Sequence, residues 1–291
     1  PGVPSLRKVY SGSTFFDEWT FEAIPDPTNG MVNYVNRTQA QALGLVSTTN
    51  NVAQISIDRN STLAAGAYRN SVRIISDATI NVGTLILLDM AHVPYGCSVW
   101  GAAWAYGSPW PTGGEIDIYE GVNNRTFNTY TLHTSPGCTR DTSLPITGLT
   151  TGTQIQCDVA VNSNAGCGVI DRAASSYGAG FNAAKGGVIA VSIETSGISV
   201  WRWTRSAIPS DIATGAPKPT SWGTPIAQWG NSTCNTASYF KDLQMVFDIT
   251  TCGDWAGNQY VWQSTADSGS CYPKYSTCGA AMQDPANFAE A

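Results

Sequence analysis

Short apolar runs alternate along the chain with segments rich in Gly, Asn, Ser and Pro, and the runs contain many β-branched residues. This pattern is typical of β-strands separated by turns. Long helical periods are absent, and only Pro285–Ala291 predicts a helical turn. We therefore expect an all-β sandwich of many strands with long loops. The best strand candidates are Ser71–Ser76, Ile80–Met90, Val188–Glu194, Ile198–Thr204 and Leu243–Ile249, with a hairpin at Thr195–Gly197.

Composition narrows the function classes. The 291 residues contain no linker, charge run or change of composition, so we expect a single domain over residues 1–291. Charged residues make up 12% of the chain, against about 25% in typical domains. The formal net charge of −6 offers no basic surface for phosphates, which excludes nucleic acid as a partner. It also argues against anionic membranes and strongly acidic polysaccharides.

The cysteines and sequons indicate the secretory route. Eight cysteines fit an oxidising compartment, and their spacing, with two histidines, does not favour structural zinc. We expect disulfides, but sequence does not choose among 105 pairings. The N-terminus has no apolar signal region, so we expect that any signal peptide is gone. Apolar runs are too short to span a membrane. We expect a secreted monomer with four N-x-[ST] sequons, at Asn36, Asn60, Asn124 and Asn231.

The segment GGEIDIYEG, residues 113–121, concentrates acids in a chain that has few. Successive side chains of a strand point to opposite faces. Glu115 and Asp117 therefore share one face, whereas Glu120 has the opposite parity. A solvated strand face fits poorly because the neighbours are apolar, and a calcium loop is turn-rich rather than strand-like. Paired-carboxylate chemistry on a sugar fits better, with one acid attacking or activating water and the other donating a proton.

The parity mismatch predicts a β-bulge. One extra residue near Ile118–Tyr119 would return Glu120 to the face of the other two acids. The Cα atoms of Glu115 and Glu120 would then lie about 13 Å apart. Long side chains that lean together could narrow the gap between carboxylates to the ~5–5.5 Å of a retaining glycosidase, or stop at an inverting distance. A carboxylate between them could hold a shared proton.

These residues carry a family resemblance. GEIDIYEG resembles the E-x-D-x-x-E signature of glycoside hydrolase family 16 in its bulged, laminarinase-like form. Over most of its length the chain resembles secreted fungal endo-1,3(4)-β-glucanases. The segments that carry this resemblance are the Trp-rich stretch before the signature, the GVN that follows it, TLHT at Thr131–Thr134 and CGDWAG at Cys252–Gly257. The resemblance implies a β-jelly-roll with an open concave cleft, a β-glucan substrate and a retaining mechanism. We expect no cofactor and assign no metal ligands, and the sequence leaves a bound structural metal open.

The resemblance also assigns roles to residues. Glu115 matches the nucleophile, Asp117 the assisting acid that hydrogen-bonds it, and Glu120 the general acid/base. His133 matches a histidine near the leaving-group side of the cleft, although a lone histidine is more often structural.

Substrate-binding residues follow in the same way. Trp104, Trp110 and Trp255 resemble residues that flank subsites on the non-reducing side, where rings stack on sugar faces; core packing is the alternative. Arg73 matches a residue that donates to sugar hydroxyls, with a structural salt bridge as the alternative. Asn33 resembles a sugar-binding asparagine.

Four further residues are not assigned to the cleft. Trp100 is expected in the core, and His92 is expected to have a structural role. Trp201 and Trp203 share a strand parity that fits either the core or the outer cleft.

Two rival functions and one departure from the family remain. The chain could be a family-16 transglycosylase, which needs the same acids, or a non-catalytic carbohydrate-binding sandwich. Relatives generally continue with a strand after the segment that resembles DPANFAEA, and that strand pairs near the N-terminus. We therefore expect Leu6–Tyr10 to lack its usual partner.

Overall fold

A computed structural model describes residues 5–150 and 155–291. Within this part of the chain, strands dominate and helices are short. The strands are β1 Trp19–Phe21, β2 Val32–Tyr34, β3 Val46–Thr49, β4 Val52–Ile55, β5 Arg69–Ser71, β6 Arg73–Ser76, β7 Thr84–Met90, β8 Val99–Tyr106, β9 Glu115–Val122, β10 Asn128–His133, β11 Val169–Asp171, β12 Gly187–Glu194, β13 Gly197–Thr204, β14 Ala227–Gly230 and β15 Gln244–Thr251.

The helices lie in the connections and near the C-terminal end of the described chain. The longest have six residues, so none of the described helices is long and apolar enough to span a bilayer. The α-helices are α1 Arg37–Ala42, α2 Gly178–Ala183, α3 Ser210–Ala213, α4 Thr236–Tyr239, α5 Gly253–Ala256, α6 Gln259–Gln263, α7 Thr265–Ser268, α8 Cys271–Lys274 and α9 Cys278–Ala281, and the 3-10 turns are Gly12–Thr14, Asn162–Asn164, Arg205–Ala207, Pro219–Ser221 and Pro285–Phe288.

Two antiparallel sheets form the body of the molecule. The larger has seven strands in the order β1-β6-β15-β8-β9-β10-β11, and the smaller has four in the order β14-β13-β12-β7. Strands β2 and β5 form a parallel pair, and β3 and β4 an antiparallel pair. The predicted all-β class is confirmed.

The two large sheets bury one face each against the other. Ile116 and Leu132 from the seven-stranded sheet join Ile189, Val191 and Val200 from the four-stranded sheet in one buried cluster. Each such side chain contributes roughly 1.5–3 kcal/mol when it is removed from water. The core therefore lies between the sheets, and the other face of the seven-stranded sheet is free to form a cleft.

Strand β8 shows how sequence alternation creates that cleft. Val99, Gly101, Ala103 and Ala105 are buried, whereas the residues that alternate with them are half-buried. The cleft side of β8 therefore presents Trp100, Ala102, Trp104 and Tyr106.

Most strand predictions are confirmed, with shifted bounds. The predicted hairpin forms between β12 and β13. The predicted strand Ser71–Ser76 is divided at Val72 between β5 and β6, and the predicted strand from Ile80 begins at Thr84. Ile80 instead makes an isolated bridge to Leu243. The predicted helical turn appears as the 3-10 turn that begins at Pro285.

The segment Leu6–Tyr10 forms no strand. Leu6 is 81% exposed and Val9 is 57% exposed, so this segment adds no apolar residue to the core before Tyr10. Tyr10 packs its ring 4.9 Å from that of Trp19 on the edge strand β1.

All eight cysteines form disulfides, as predicted. The pairs are Cys97–Cys271, Cys138–Cys234, Cys157–Cys167 and Cys252–Cys278. Two of them join the helical region 253–291 to Cys97, just before β8, and to Cys252, just after β15. Both disulfides belong to a second apolar cluster around Trp262 and Phe288. The C-terminal helices are thus held by cross-links as well as by packing.

We predict that removing Cys97–Cys271 destabilises the protein more than removing Cys157–Cys167. The bonds close loops with separations of 174 and 10 residues. Loop-closure entropy then gives losses of about 5 and about 3 kcal/mol. All four cysteines are buried, so the double alanine variants differ chiefly in loop length. Denaturant unfolding followed by tryptophan fluorescence measures both losses; equal losses, or a larger one for the short loop, would contradict the expectation.

Candidate active site

A bulge interrupts the pairing of β9 with β8. Asp117 lies opposite Trp104, and the next residue of β8, Ala103, lies opposite Tyr119. Ile118 is therefore the extra residue, as a bulge requires. The predicted bulge near Ile118–Tyr119 is confirmed.

The bulge restores the three acids to one face. Glu115 lies opposite Tyr106 and Glu120 lies opposite Ala102, both on the cleft side of β8. Asp117 has the same orientation, opposite Trp104. The face that carries Glu115, Asp117 and Glu120 is thus continuous with the aromatic face of β8.

Strand β10 adds a histidine to the acids. His133 pairs with Glu115 across the β9–β10 ladder. Its Nε2 lies 3.3 Å from Asp117 Oδ2 and 4.0 Å from Glu115 Oε1. Its Nδ1 lies 2.9 Å from Oδ1 of Asn164, which orients the ring. His133 therefore lies beside Glu115 and Asp117, and its expected place near the leaving-group side of the cleft remains a prediction.

The β8–β9 connection positions Glu115. Gly114, immediately before it, has φ +76°, a left-handed conformation that glycine adopts without strain. A Cβ at Gly114 would also lie 2.3 Å from the carbonyl oxygen of Tyr239. The turn brings Trp110 back over the strand, and its indole Nε1 donates to Glu115 Oε2 at 2.5 Å. Trp110 is 45% exposed, as suits a cleft wall.

Trp100 holds the other glutamate. Its indole Nε1 donates to Glu120 Oε1 at 2.9 Å, and its ring meets that of Trp255 on α5 edge-on, at 5.6 Å. The expectation that Trp100 lies in the core is wrong. It has the same strand parity as Trp104, and that alternation could have placed it in the cleft.

Burial has the largest effect on the pKa of both glutamates. It raises the pKa of Glu115 and of Glu120 above the ordinary value, and the negative charge of Asp117 raises both further. The His133 cation and the Trp110 N–H oppose this at Glu115. At Glu120 the His133 cation lowers the pKa less than the Trp100 N–H does, and the negative charge of Glu115 raises it further. Both pKa values are raised to about 8, so the two glutamates do not both ionise easily.

His133 is held as a cation. Burial lowers its pKa, but Asp117, Glu115 and Glu120 outweigh burial and raise the pKa to about 10. One positive charge therefore offsets part of the negative charge that the three acids would otherwise place in a buried site.

The same grouping has the composition of a metal site. Glu115, Asp117 and His133 each offer one ligand atom, and these atoms lie within 4.8 Å of one another. Such a set could hold a divalent cation. The His133 cation competes with that use, since a metal-bound imidazole must be neutral. Our expectation of no metal remains a prediction.

An ion-pair network forms the floor beside Trp104. Arg73 Nε lies 2.7 Å from Glu22 Oε2, and Arg73 Nη1 lies 2.5 Å from Asp248 Oδ2. The other oxygen of Asp248 accepts from Trp104 Nε1 at 3.3 Å, and the guanidinium lies 5.0 Å from the Trp104 ring centroid. The structural salt bridge considered for Arg73 is therefore present, and it fixes Trp104 as well.

The remaining candidates are dispersed. Asn33 is exposed on β2, where its amide donates to Asn70 Oδ1 at 3.4 Å. His92 is exposed and its Nε2 lies 2.8 Å from Glu290 Oε2. Substrate contact by Asn33 and the structural role of His92 both remain predictions.

Trp201 and Trp203 lie outside the apolar cluster between the two sheets and outside the cleft, although Trp201 is itself buried. On β13 the residues of the opposite parity, Ile198 and Val200, enter the core, so the two indoles lie on the outer face of the four-stranded sheet. There they pack edge-on against Trp222 at 5.4 and 5.0 Å.

Comparison with known proteins assigns the family. The model described as an XgeA-like, catalytic GH16 domain matches residues 19–291. The chain belongs to glycoside hydrolase family 16. A probable endo-1,3(4)-β-glucanase of Aspergillus fumigatus is 39% identical to this family 16 chain over 289 residues, which is 98% of the chain and 43% of the relative. The chain spans 38–63% of the length of the curated relatives it matches.

Two solved structures share the whole fold. Laminarinase 16A from Phanerochaete chrysosporium, solved with 6-O-glucosyl-laminaritriose in donor and acceptor sites, has a TM-score of 0.88 and 39% identity, covering 97% of this chain and 94% of that one. An elongating family 16 β-1,3-glucosyltransferase has a TM-score of 0.88 and 37% identity, covering 99% and 96%. The family 16 jelly-roll with an open concave cleft, expected from the resemblance, is confirmed.

We predict that His133→Asn moves the acidic limb of the pH profile of kcat/KM upward by about 1–2 units. The cation lowers the pKa of Glu115, so its loss raises that pKa. A nucleophilic Glu115 must be ionised, and a higher pKa would therefore remove activity from the acid side. His92→Asn, at an exposed histidine, is the control. An unchanged acidic limb in a folded His133→Asn protein would contradict the assignment.

We predict that Trp100→Phe moves the alkaline limb upward and lowers kcat/KM by about 10- to 100-fold. The indole N–H favours ionised Glu120, so its removal raises the pKa of the acid, while the carboxylate loses an orienting contact. Trp222→Phe is a matched control, because its indole donates to Asp211 away from the acids. Identical limbs in the wild type and Trp100→Phe would count against this role.

Proposed function

We propose that the chain is a retaining endo-β-glucanase that hydrolyses β-1,3 and mixed-linkage β-1,3-1,4 glucans by double displacement. The observation that carries this proposal is the bulge at Ile118. Because of it, Glu115 and Glu120 lie on the same cleft face, with Asp117 between them. The raised pKa of half-buried Glu120 suits an acid that works near neutral pH, and at Glu115 the contacts with His133 and Trp110 favour the ionised form that a nucleophile needs. The names of the Aspergillus and Phanerochaete relatives support the substrate class.

The first step forms a glycosyl-enzyme. A carboxylate oxygen of Glu115 attacks the anomeric carbon while Glu120 gives its proton to the departing glycosidic oxygen. The bond from Glu115 to the sugar forms as the bond between sugars breaks. His133 and Trp110 stabilise Glu115 as an anion before attack, since both favour its ionised form.

The second step releases the sugar. Glu120, now ionised, takes a proton from water, and the water oxygen attacks the anomeric carbon and displaces Glu115. Two inversions give net retention. Glu120 ends protonated and Glu115 ends ionised, so the enzyme is ready for another cycle. Asp117, whose negative charge raises the pKa of Glu115, is assigned to the proton exchange between the acids.

The cleft suits a neutral polymer. Trp110 is exposed beside Glu115, and Trp104 and Trp255 are half-buried on the same face. Indole rings offer flat surfaces to the apolar faces of glucose. We assign Trp104, Trp110 and Trp255 to the non-reducing side of the cut, with Arg73 and Asn33 as hydrogen-bonding residues farther along it.

The disulfides and the fungal relatives fit an extracellular enzyme. We propose that the protein is secreted and acts as a monomer without a cofactor.

A second candidate is transglycosylation. The similarity to an elongating β-1,3-glucosyltransferase favours it. In that reaction a sugar hydroxyl replaces water in the second step, with Glu120 as the same base. The first step and its acids are unchanged.

The test is a digest of laminarin beside barley mixed-linkage glucan, with mass-spectrometric sizing, linkage analysis and proton NMR of the first products. We expect shorter β-linked oligosaccharides, new reducing ends that appear first as the β-anomer, and loss of more than about 10³-fold of the rate in Glu115→Ala. Initial α-anomers would contradict the retaining mechanism. Longer products without net reducing-end release would favour the transglycosylase, and unchanged substrates would overturn both.

A further inference from the structure

The bulge at Ile118 leaves a problem that a neighbouring residue solves. Backbone pairing of β9 with β10 joins Asp117 and Glu115 to Thr131 and His133 and ends where the bulge begins. The next groups of β9 are buried against β10, and buried backbone groups need hydrogen-bond partners. Their partner is not the backbone of β10 but one side chain.

That side chain is Asn128, the first residue of β10. Its Oδ1 accepts the backbone N–H of Glu120 at 2.9 Å, and its Nδ2 donates to the backbone carbonyl of Ile118 at 3.0 Å. The amide thus makes the two bonds that a facing peptide group would make in a regular ladder. It does so for the residue that forms the bulge and for the acid that the bulge redirects.

Contacts on the side away from β9 hold Asn128 in place. It is fully buried, and it pairs with Asp171 of β11. Its backbone N–H donates to Ser176 Oγ at 3.1 Å, and that hydroxyl donates to the carbonyl of Asp171 at 2.6 Å. A fixed side chain can impose a geometry on its neighbour, whereas a mobile one follows it.

Few other side chains could make both contacts. Aspartate has the same shape but, when ionised, no donor for the Ile118 carbonyl. Leucine and alanine would leave both backbone groups without partners. Regular pairing would recover those partners, but a register change of one residue turns a side chain to the opposite face. Glu120 would then point into the core.

We infer that Asn128 is a positioning residue for the general acid/base: its amide holds the bulge that aims Glu120 into the cleft. The inference rests on the proposed retaining hydrolysis. Asn128 acts through the backbone of Glu120, while Trp100 acts on its carboxylate, so the acid is held at both ends.

The test compares leaving groups in Asn128→Ala. Laminarin needs a proton on its departing oxygen, whereas 2,4-dinitrophenyl β-laminaribioside has a leaving group that departs without one. We expect kcat/KM for laminarin to fall by about 10²-fold or more, as for loss of general acid catalysis. For the activated substrate we expect kcat/KM to change less than about 3-fold, and added azide to raise kcat because it needs no base.

Asn182→Ala is the matched control. Asn182 on α2 also makes two backbone bonds with its amide, accepting the N–H of Val93 and donating to its carbonyl at 2.9 and 3.1 Å. We expect any loss of thermal stability there to leave the ratio of the two kcat/KM values unchanged. Near-ultraviolet circular dichroism and Tm establish that each variant is folded.

Asn128→Asp provides a second variant of the same shape, which keeps an acceptor for the Glu120 N–H and loses the donor to Ile118. We expect a shift of the substrate ratio in the same direction as for Asn128→Ala. Equal losses on both substrates in the folded variants, or no loss on either, would overturn the inference. If Asn128→Ala does not fold, the ratio in Asn128→Asp decides alone. A wild type inactive on both substrates would instead refute the proposed function.

Discussion

One backbone irregularity governs the site: the single extra residue that Ile118 inserts into β9. Without it, the period of two that builds the sandwich would direct Glu115 and Glu120 to opposite faces. With it, one strand supplies apolar side chains to the core and three carboxyls to the cleft. The chemistry therefore depends on local backbone geometry as much as on the identity of the acids.

The bulge concentrates charge where water is scarce, and the surroundings compensate. Three carboxyls in a buried site cannot all ionise at low cost. Burial and mutual repulsion raise the pKa of Glu115 and Glu120, while the same carboxyls keep His133 protonated. Two indole N–H groups orient the glutamates. Nearby, Asp248 shows the same balance: burial raises its pKa to about 6 against the opposing charge of Arg73.

The main features of fold and site could be predicted from the sequence because they are periodic. Runs rich in β-branched residues on either side of a turn predicted the β12–β13 hairpin, and the failure of strand alternation at Glu120 predicted the bulge. Alternation also places Trp100, which shares the parity of Trp104, in the cleft. The apolar residues around Trp100 are typical of a core strand, and they favoured the wrong location.

Other features depend on three-dimensional contacts that no local pattern encodes. Disulfide pairing was one, since it required the fold to bring Cys97 within reach of Cys271. The Asp248 partner of Trp104 lies 144 positions away. Asn128 gave no signal because its partners are backbone groups of β9. The outer position of Trp201 depended on which sheet face packs inward.

The separate roles of Glu115 as nucleophile and Glu120 as acid/base can be tested most directly by trapping the glycosyl-enzyme intermediate. A 2-deoxy-2-fluoro laminaribiosyl fluoride slows both steps, the second more, so that the glycosyl-enzyme accumulates. Intact-mass measurement followed by peptic mapping locates the sugar. The account predicts one laminaribiosyl unit per chain, attached to Glu115. A sugar on Asp117 or Glu120, or an unlabelled enzyme that still hydrolyses glucan with retention, would contradict it.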